Sequence, residues 1–145
     1  MLVELRRAEP PDADFLLELL LDDDVRPFLG PRTAASREEM LEEIEHSLAE
    51  PQAFGRFVIE ADGELVGGLG FHVVNDRSRI ARLERLAVLP RFRGRRIGDA
   101  AALLLQRLLF EELGYHRLEL EIYASNERAC AHADRAGYTR EGTKR

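Results

Sequence analysis

Residues 83–105 read LERLAVLPRFRGRRIGDAAALLL. The stretch opens as an apolar strand. It turns through Pro90-Arg91-Phe92-Arg93-Gly94-Arg95-Arg96-Ile97-Gly98 and runs on as a helix that is apolar almost all round. The first turn of a helix has N–H groups without internal acceptors, and the helix dipole places partial positive charge there. Arginines 91, 93, 95 and 96 surround that point. Glycine lets the backbone close on an anion without interference from a Cβ. Strand, basic glycine-containing turn and helix start, in that order, make a cradle for a phosphate or pyrophosphate. A solvated basic face is the plainer reading of four arginines, but it does not explain their place at a helix start. The rest of the chain then has to supply a sheet that holds this turn and a cleft beside it.

The 145 residues suit one domain, 1–145, and a hydrophobic content of 45% supports a packed core. No apolar run approaches the roughly 18 residues of a membrane span, and the start, MLVELRRAEP, reads as a first strand rather than a signal peptide. The single cysteine, Cys130, excludes an internal disulfide and a multi-cysteine metal site. Cytoplasmic residence is the expectation. A net charge of −6 argues against a general nucleic-acid binder. It leaves room for a locally basic anion site and a cationic partner elsewhere.

Along the chain, Leu2–Arg6 reads as a strand, and Pro10-Pro11-Asp12 opens a helix with Asp12 or Asp14 near its start. Asp22-Asp23-Asp24 reads as a solvated acidic turn, because three adjacent carboxylates at a helix end do not converge on one ion. Pro27 to Pro31, with Gly30, reads as a loop. Ser36 and Glu39 form a capping box for a helix to about Glu50, with Met40, Leu41, Ile44 and Leu48 inward. Strands follow over 56–60, 64–74 and 80–88, the first two joined by an Asp62-Gly63 hairpin. Gly67, Gly68 and Gly70 signal a bulge or a close backbone approach. The long helix runs from Gly98 to Leu113, then a fifth strand from Arg117 to Tyr123, by a right-handed parallel crossover. Ser125 or Asn126 caps a last helix over 127–136. A sixth strand would start at Tyr138.

This order, β-α-α-β-β-β-α-β-α-(β), resembles the GNAT superfamily of acyl-CoA N-acetyltransferases. Val88-x-Pro90-x-x-Arg93-Gly94-x-x-Ile97-Gly98 is similar to its pyrophosphate motif. Leu120-Glu121-Ile122-x-x-x-Asn126-x-x-Ala129 and Ala136-Gly137-Tyr138-x-x-Glu141-Gly142 are similar to the strand and helix that follow. Leu5-Arg6 and Asp12-Ala13 resemble the branch that holds ribosomal-protein and small-amine acetyltransferases. The resemblance implies an α+β fold of three α/β/α layers around a mixed, mostly antiparallel sheet. It implies acetyl-CoA as co-substrate, with no metal, and acetyl transfer to a primary amine on a protein N-terminus or a small molecule. The backbone of Arg93, Gly94, Arg95, Arg96, Ile97 and Gly98 would hold the pyrophosphate. Leu86, Ala87 and Val88 would pair with the pantetheine amides where the fourth and fifth strands splay apart. Asn126 would contact the pantetheine arm or order the splay.

Three departures from the family pattern stand out. Arg96 occupies a position where glycine or alanine is usual, so it either crowds the phosphates or adds a contact to them. Ala133 stands where a tyrosine often protonates the departing thiolate; Tyr123 and Tyr138 are stand-ins, and His132 is about 100° away on the helix. The family normally has two more strands after Gly142. The expectation is therefore a domain without its last two strands, either cut short or with an exposed edge that favours a homodimer.

An amine with a pKa well above 7 needs a base to become a nucleophile. Desolvation raises a carboxylate's pKa enough to serve. Glu121 matches the position where the peptide-acetylating branch places its base. Glu84 is the second candidate, on one face with Leu86 and Val88 if the alternation is regular. A cross-strand ion pair with Arg82 or Arg117 is an equal reading of Glu84. Histidines 46, 72, 116 and 132 lack metal-ligand spacing, and His46 and His132 read as exposed. Cys130 reads as a buried small hydrophobe. A non-catalytic acyl-CoA-binding or regulatory module is the alternative function. A nucleotide-phosphate binder ranks last, because neither Gly-x-x-x-x-Gly-Lys-[Ser/Thr] nor Gly-x-Gly-x-x-Gly occurs.

Overall fold

The computed structural model describes residues 1–28, 34, 36–122 and 126–142. Five strands form one sheet in the order β1-β2-β3-β4-β5. They are β1 (Val3–Arg7), β2 (Phe54–Ala61), β3 (Glu64–Asn75), β4 (Ile80–Val88) and β5 (Arg117–Glu119). The first four pair antiparallel, and β4 and β5 pair parallel. Four α-helices flank the sheet: α1 (Ala13–Leu21), α2 (Arg37–Ala49), α3 (Ile97–Arg107) and α4 (Glu127–Arg135). The mixed α+β fold read from the sequence is the observed one.

Alternation along the strands makes two cores. Phe57, Ile59, Phe71 and Leu83 pack with Ile97, Ala101 and Leu105 of α3. Val58 and Ala87 face the other way, onto Leu16, Leu19, Met40 and Ile44 of α1 and α2. The sheet is thus covered on both faces, and its middle strands are buried along most of their length.

Asp12 and Asp14 lie at the start of α1 as read, and the Asp12 carboxylate takes a two-point bond from Arg6 at 2.7 and 2.8 Å. Other local expectations change. Ser36 caps α2 as read, accepting from the Glu39 N–H at 3.2 Å. Leu48 is exposed, and Ser47 is buried in its stead, where its hydroxyl accepts from Arg7 and from the Arg56 N–H. The long helix leaves α geometry after Arg107 and closes as a π-helical turn over Leu108–Glu112. The fifth strand stops at Glu119, short of the expected Tyr123, which lies outside the described residues together with Ser125. Asn126 caps α4, accepting from the Ala129 N–H at 3.1 Å. Residues 138–142 form no strand, and the end of the expected sixth strand lies outside the described residues.

The β3 glycines meet close neighbours. A Cβ at Gly67 would lie 2.3 Å from the Ala87 carbonyl oxygen, and one at Gly70 would lie 2.5 Å from Arg56 Nη1. Next to them β4 carries a bulge. Gly68 pairs with Ala87 and Gly70 with Glu84, so Leu69 faces two residues, Arg85 and Leu86. Arg85 adopts φ +57 to accommodate the extra residue. The bulge reverses the alternation. Leu86 and Val88 pack on the α3 side, whereas Ala87 packs on the α1/α2 side. Glu84 bonds to Arg56, which also holds Glu43 of α2. The regular alternation that put Glu84 beside Leu86 and Val88 therefore does not hold.

Candidate functional site

The parallel pairing of β4 with β5 ends at Arg82↔Glu119. Beyond it β4 runs six residues further, to Val88, and among the described residues only β3 pairs with it there. The strands have splayed, and the opened edge borders a cleft of about 550 Å³. Backbone groups on such an edge need a partner. At its end the chain enters a 3₁₀ turn, Pro90–Phe92, and then the start of α3. Gly94 has φ +83 and Arg96 has φ +59, so two left-handed residues fold the turn over the helix N-terminus. Only the first is a glycine. Gly98 rests on Leu86 and Val88, with their side chains 3.8 and 3.9 Å from the place of its absent Cβ.

Leu86, Ala87, Val88, Arg93, Gly94, Arg96, Ile97, Gly98 and Asn126 all line the cleft, as do Glu84 and Glu121. Arg95 does not line it. The Arg93 Nε–H donates to the Val88 carbonyl at 3.2 Å, which ties the turn to the strand end. Burial lowers the Arg93 guanidinium pKa, and the nearby cation of Arg128 lowers it further, against the opposing charges of Asp24 and Asp22. Within an otherwise exposed turn, Arg93 is thus a partly buried cation.

The two candidate bases differ in surroundings. Glu84 Oε1 accepts from Arg56 Nη1 at 2.8 Å, and its Oε2 lies 3.0 Å from His72 Nδ1. Burial acts to raise its pKa, but the hydrogen bonds and charges of His72 and Arg56 outweigh it and hold the carboxyl at about 2. Such a carboxylate is a weak proton acceptor. The geometry favours the ion-pair reading of Glu84, with Arg56 and His72 in place of the expected Arg82 or Arg117. Arg56 is 7% exposed and also bonds Glu43 at 2.9 Å, and Glu43 in turn takes Arg85 at the bulge. Glu84 thus belongs to a charged chain that pins α2 to the bulge of β4. Glu121 sits just past β5, with Arg82 Nη1 at 3.4 Å and 45% of its side chain exposed. It is wetter than the apolar pocket that desolvation alone would require.

Sequence reading missed the opposite wall. Arg128, His132 and Arg135 stand at i, i+4 and i+7 on α4, and all three line the cleft. That spacing, read for charge rather than for apolar residues, carried the signal. His132 is 13% exposed, not on a free surface, and its Nδ1 bonds to Asp99 in the first turn of α3. Tyr138 also lines the cleft, and its hydroxyl accepts from Gln106 at 3.1 Å. Burial raises its pKa against that bond, so the phenol keeps its proton. Among the described residues no group of His, Cys, Asp and Glu is placed to hold a metal ion, and no helix is long and apolar enough to cross a membrane.

The sequence profile of the acetyltransferase (GNAT) family matches residues 15–138. No curated protein sequence matches the chain. Among solved structures, the chain is similar to RimL, the ribosomal L7/L12 alpha-N-protein acetyltransferase, with a TM-score of 0.81 and 22% identity over 97% of this chain and 78% of that one. It is similar to spermidine N-acetyltransferase from Vibrio cholerae in complex with CoA and spermine, with a TM-score of 0.81 and 24% identity over 97% and 82%. It is also similar to PaiA N-acetyltransferase from Thermoplasma acidophilum in complex with coenzyme A, with a TM-score of 0.83 and 20% identity over 99% and 94%.

Proposed function

Because the chain belongs to the acetyltransferase (GNAT) family, we propose that it transfers an acetyl group from acetyl-CoA to a primary amine within a ternary complex. The observation that carries this reading is the edge of β4, without a strand partner among the described residues, leading straight into the basic turn. An extended arm with amides can complete the edge at Leu86–Val88. A diphosphate attached to that arm then falls on the N–H groups of residues 93–98. Two of the similar structures hold CoA, which supports the same co-substrate here.

In the proposed reaction the amine nitrogen attacks the thioester carbon and a C–N bond forms. Glu121 takes the amine proton, through water given its exposure. The C–S bond breaks and the sulfur leaves as thiolate, which then gains a proton. Ala133 cannot supply that proton. The Tyr138 hydroxyl, in the cleft and protonated at neutral pH, is the stand-in. A thiolate is a fair leaving group near neutral pH, so this last transfer contributes less than the base. The acceptor class we propose is a peptide N-terminus or a small-molecule amine, and the likeness to RimL and to the spermidine enzyme supports that breadth.

The test is release of free thiol from acetyl-CoA in the presence of a panel of peptide and polyamine acceptors. We expect turnover on at least one acceptor and a loss of about 10²–10⁴ in kcat for Glu121→Gln, the range of a general base. No thiol above background with any amine points instead to the non-catalytic acyl-CoA-binding module.

A further inference from the structure

Asp99 is out of place electrostatically. It lies in the first turn of α3, directly at the end of the cleft that the proposed function assigns to the phosphates. A carboxylate there suits the helix dipole but should repel a diphosphate. Its surroundings offer a reason for its presence. The Asp99 Oδ1 faces His132 Nδ1 and accepts from Arg135 Nη2 at 3.1 Å. Its Oδ2 accepts from Arg135 Nε at 2.9 Å and from Arg96 Nη1 at 3.4 Å. One anion thus gathers two arginines and a histidine, drawn from the turn and from α4, and all three line the cleft.

We propose that Asp99 is a positioning residue, which holds Arg96, Arg135 and His132 around the phosphate end of the cleft so that their N–H groups meet the phosphates of the acyl-CoA co-substrate. The inference rests on the co-substrate reading above and adds to it the residues that orient the anion site. Three features support it. First, α4 has no fully buried residue, and Asp99 bonds two of the three members of its cationic stripe, His132 and Arg135. Those bonds tie the stripe to the start of α3. Second, Asp99 is held at about 2, first by the hydrogen bond from Arg135 and, against burial, by His132, so it accepts and does not donate at working pH. The proton shared with His132 therefore sits on Nδ1. His132 Nε2 is left on the side away from Asp99. Third, the Arg96 side chain is 71% exposed and its backbone is left-handed. Without an anchor, such an arginine would sample solvent. Its i,i+3 contact to Asp99 brings it back over the helix start.

The experiment is calorimetric titration of acetyl-CoA into the wild-type chain, Asp99→Asn, His132→Leu and the double variant, with kcat and KM for both substrates measured in parallel. Coulomb's law alone predicts that removing a negative charge from an anion site tightens binding. The positioning role predicts the opposite: Asp99→Asn raises Kd for acetyl-CoA about 5- to 30-fold, raises its KM alike, and leaves KM for the amine unchanged. His132→Leu should raise Kd for acetyl-CoA severalfold, and Asp99→Asn added to it should raise Kd by less than it does in the wild-type chain, because the two residues act through one bond. That variant keeps the proposal testable should Asp99→Asn fold poorly. Equal or tighter binding by Asp99→Asn, or acetyl-CoA binding unchanged by His132→Leu, overturns the positioning role while the co-substrate reading stands. Failure of the wild-type chain to bind acetyl-CoA overturns both.

Discussion

Replacing Glu84 by glutamine should cost stability before it costs chemistry. The carboxylate has an ordinary value of 4.5 and is held at about 2 in the folded chain. That gap, at about 1.4 kcal/mol per pH unit, corresponds to about 3 kcal/mol of stability. The side chain is 24% exposed, so little of this is lost to solvent screening. The sign follows from the depressed value. The contribution is fully present above pH 4.5 and is lost as the pH falls toward 2. Glutamine keeps the shape and an acceptor for Arg56 but loses the charge. Urea unfolding at pH 7 should show Glu84→Gln less stable by about 2–3 kcal/mol, with a melting midpoint lower by about 4–12 °C. Between pH 4.5 and pH 2 the wild-type curve should fall toward that of the variant, because the unfolded chain's carboxylate takes up a proton that the folded one, held at about 2, does not. On the ion-pair reading of Glu84, kcat should fall less than tenfold. Equal stability at pH 7, parallel curves into acid, or a loss of about 10³ in kcat without a loss of stability would each refute the reasoning.

Two further substitutions test the frame of the cleft. Gly67→Ala places a Cβ 2.3 Å from the Ala87 carbonyl. The neighbour is backbone, so β3 and β4 must separate, at a cost of about 2–3 kcal/mol in urea unfolding and with weaker acetyl-CoA binding along the same strand. Arg96→Gly relieves a left-handed backbone at φ +59, worth about 1–2 kcal/mol and partly offset by the entropy of glycine. Thermal unfolding of the free protein should rise by about 1–3 °C, while acetyl-CoA affinity falls with the loss of a phosphate contact.

The fold was legible because its signals were local and agreed with one another. Asp62-Gly63 fixed one hairpin, Ser36 and Glu39 one helix start, and the run from Leu83 to Leu105 the order of strand, turn and helix. The lining of the cleft followed from that order, so nearly every residue assigned to the co-substrate lies on it. Features that depend on partners distant in sequence stayed hidden. The bulge at Arg85 arises from the meeting of β3 with β4, and nothing near Arg85 announces a positive φ. The fate of Glu84 was set by Arg56 and His72, which lie 28 and 12 residues earlier. Leu48 fit a helical apolar face, yet the strands bring Arg7 and the Arg56 N–H to its neighbour Ser47, and hydrogen bonds decided which residue is buried. The stripe Arg128, His132, Arg135 was visible at helical spacing. Its meaning depended on Asp99, which sits on another helix.

The most direct test of the central claim is thermal unfolding with acetyl-CoA, with ATP and AMP as controls. A ligand at about 100 times its Kd adds about 2.7 kcal/mol, or about 5–10 °C for a chain of this length. The account predicts that shift with acetyl-CoA and little with either nucleotide, because the β4 edge adds binding that a phosphate alone cannot obtain. No shift with acetyl-CoA, or an equal shift with ATP, would contradict it.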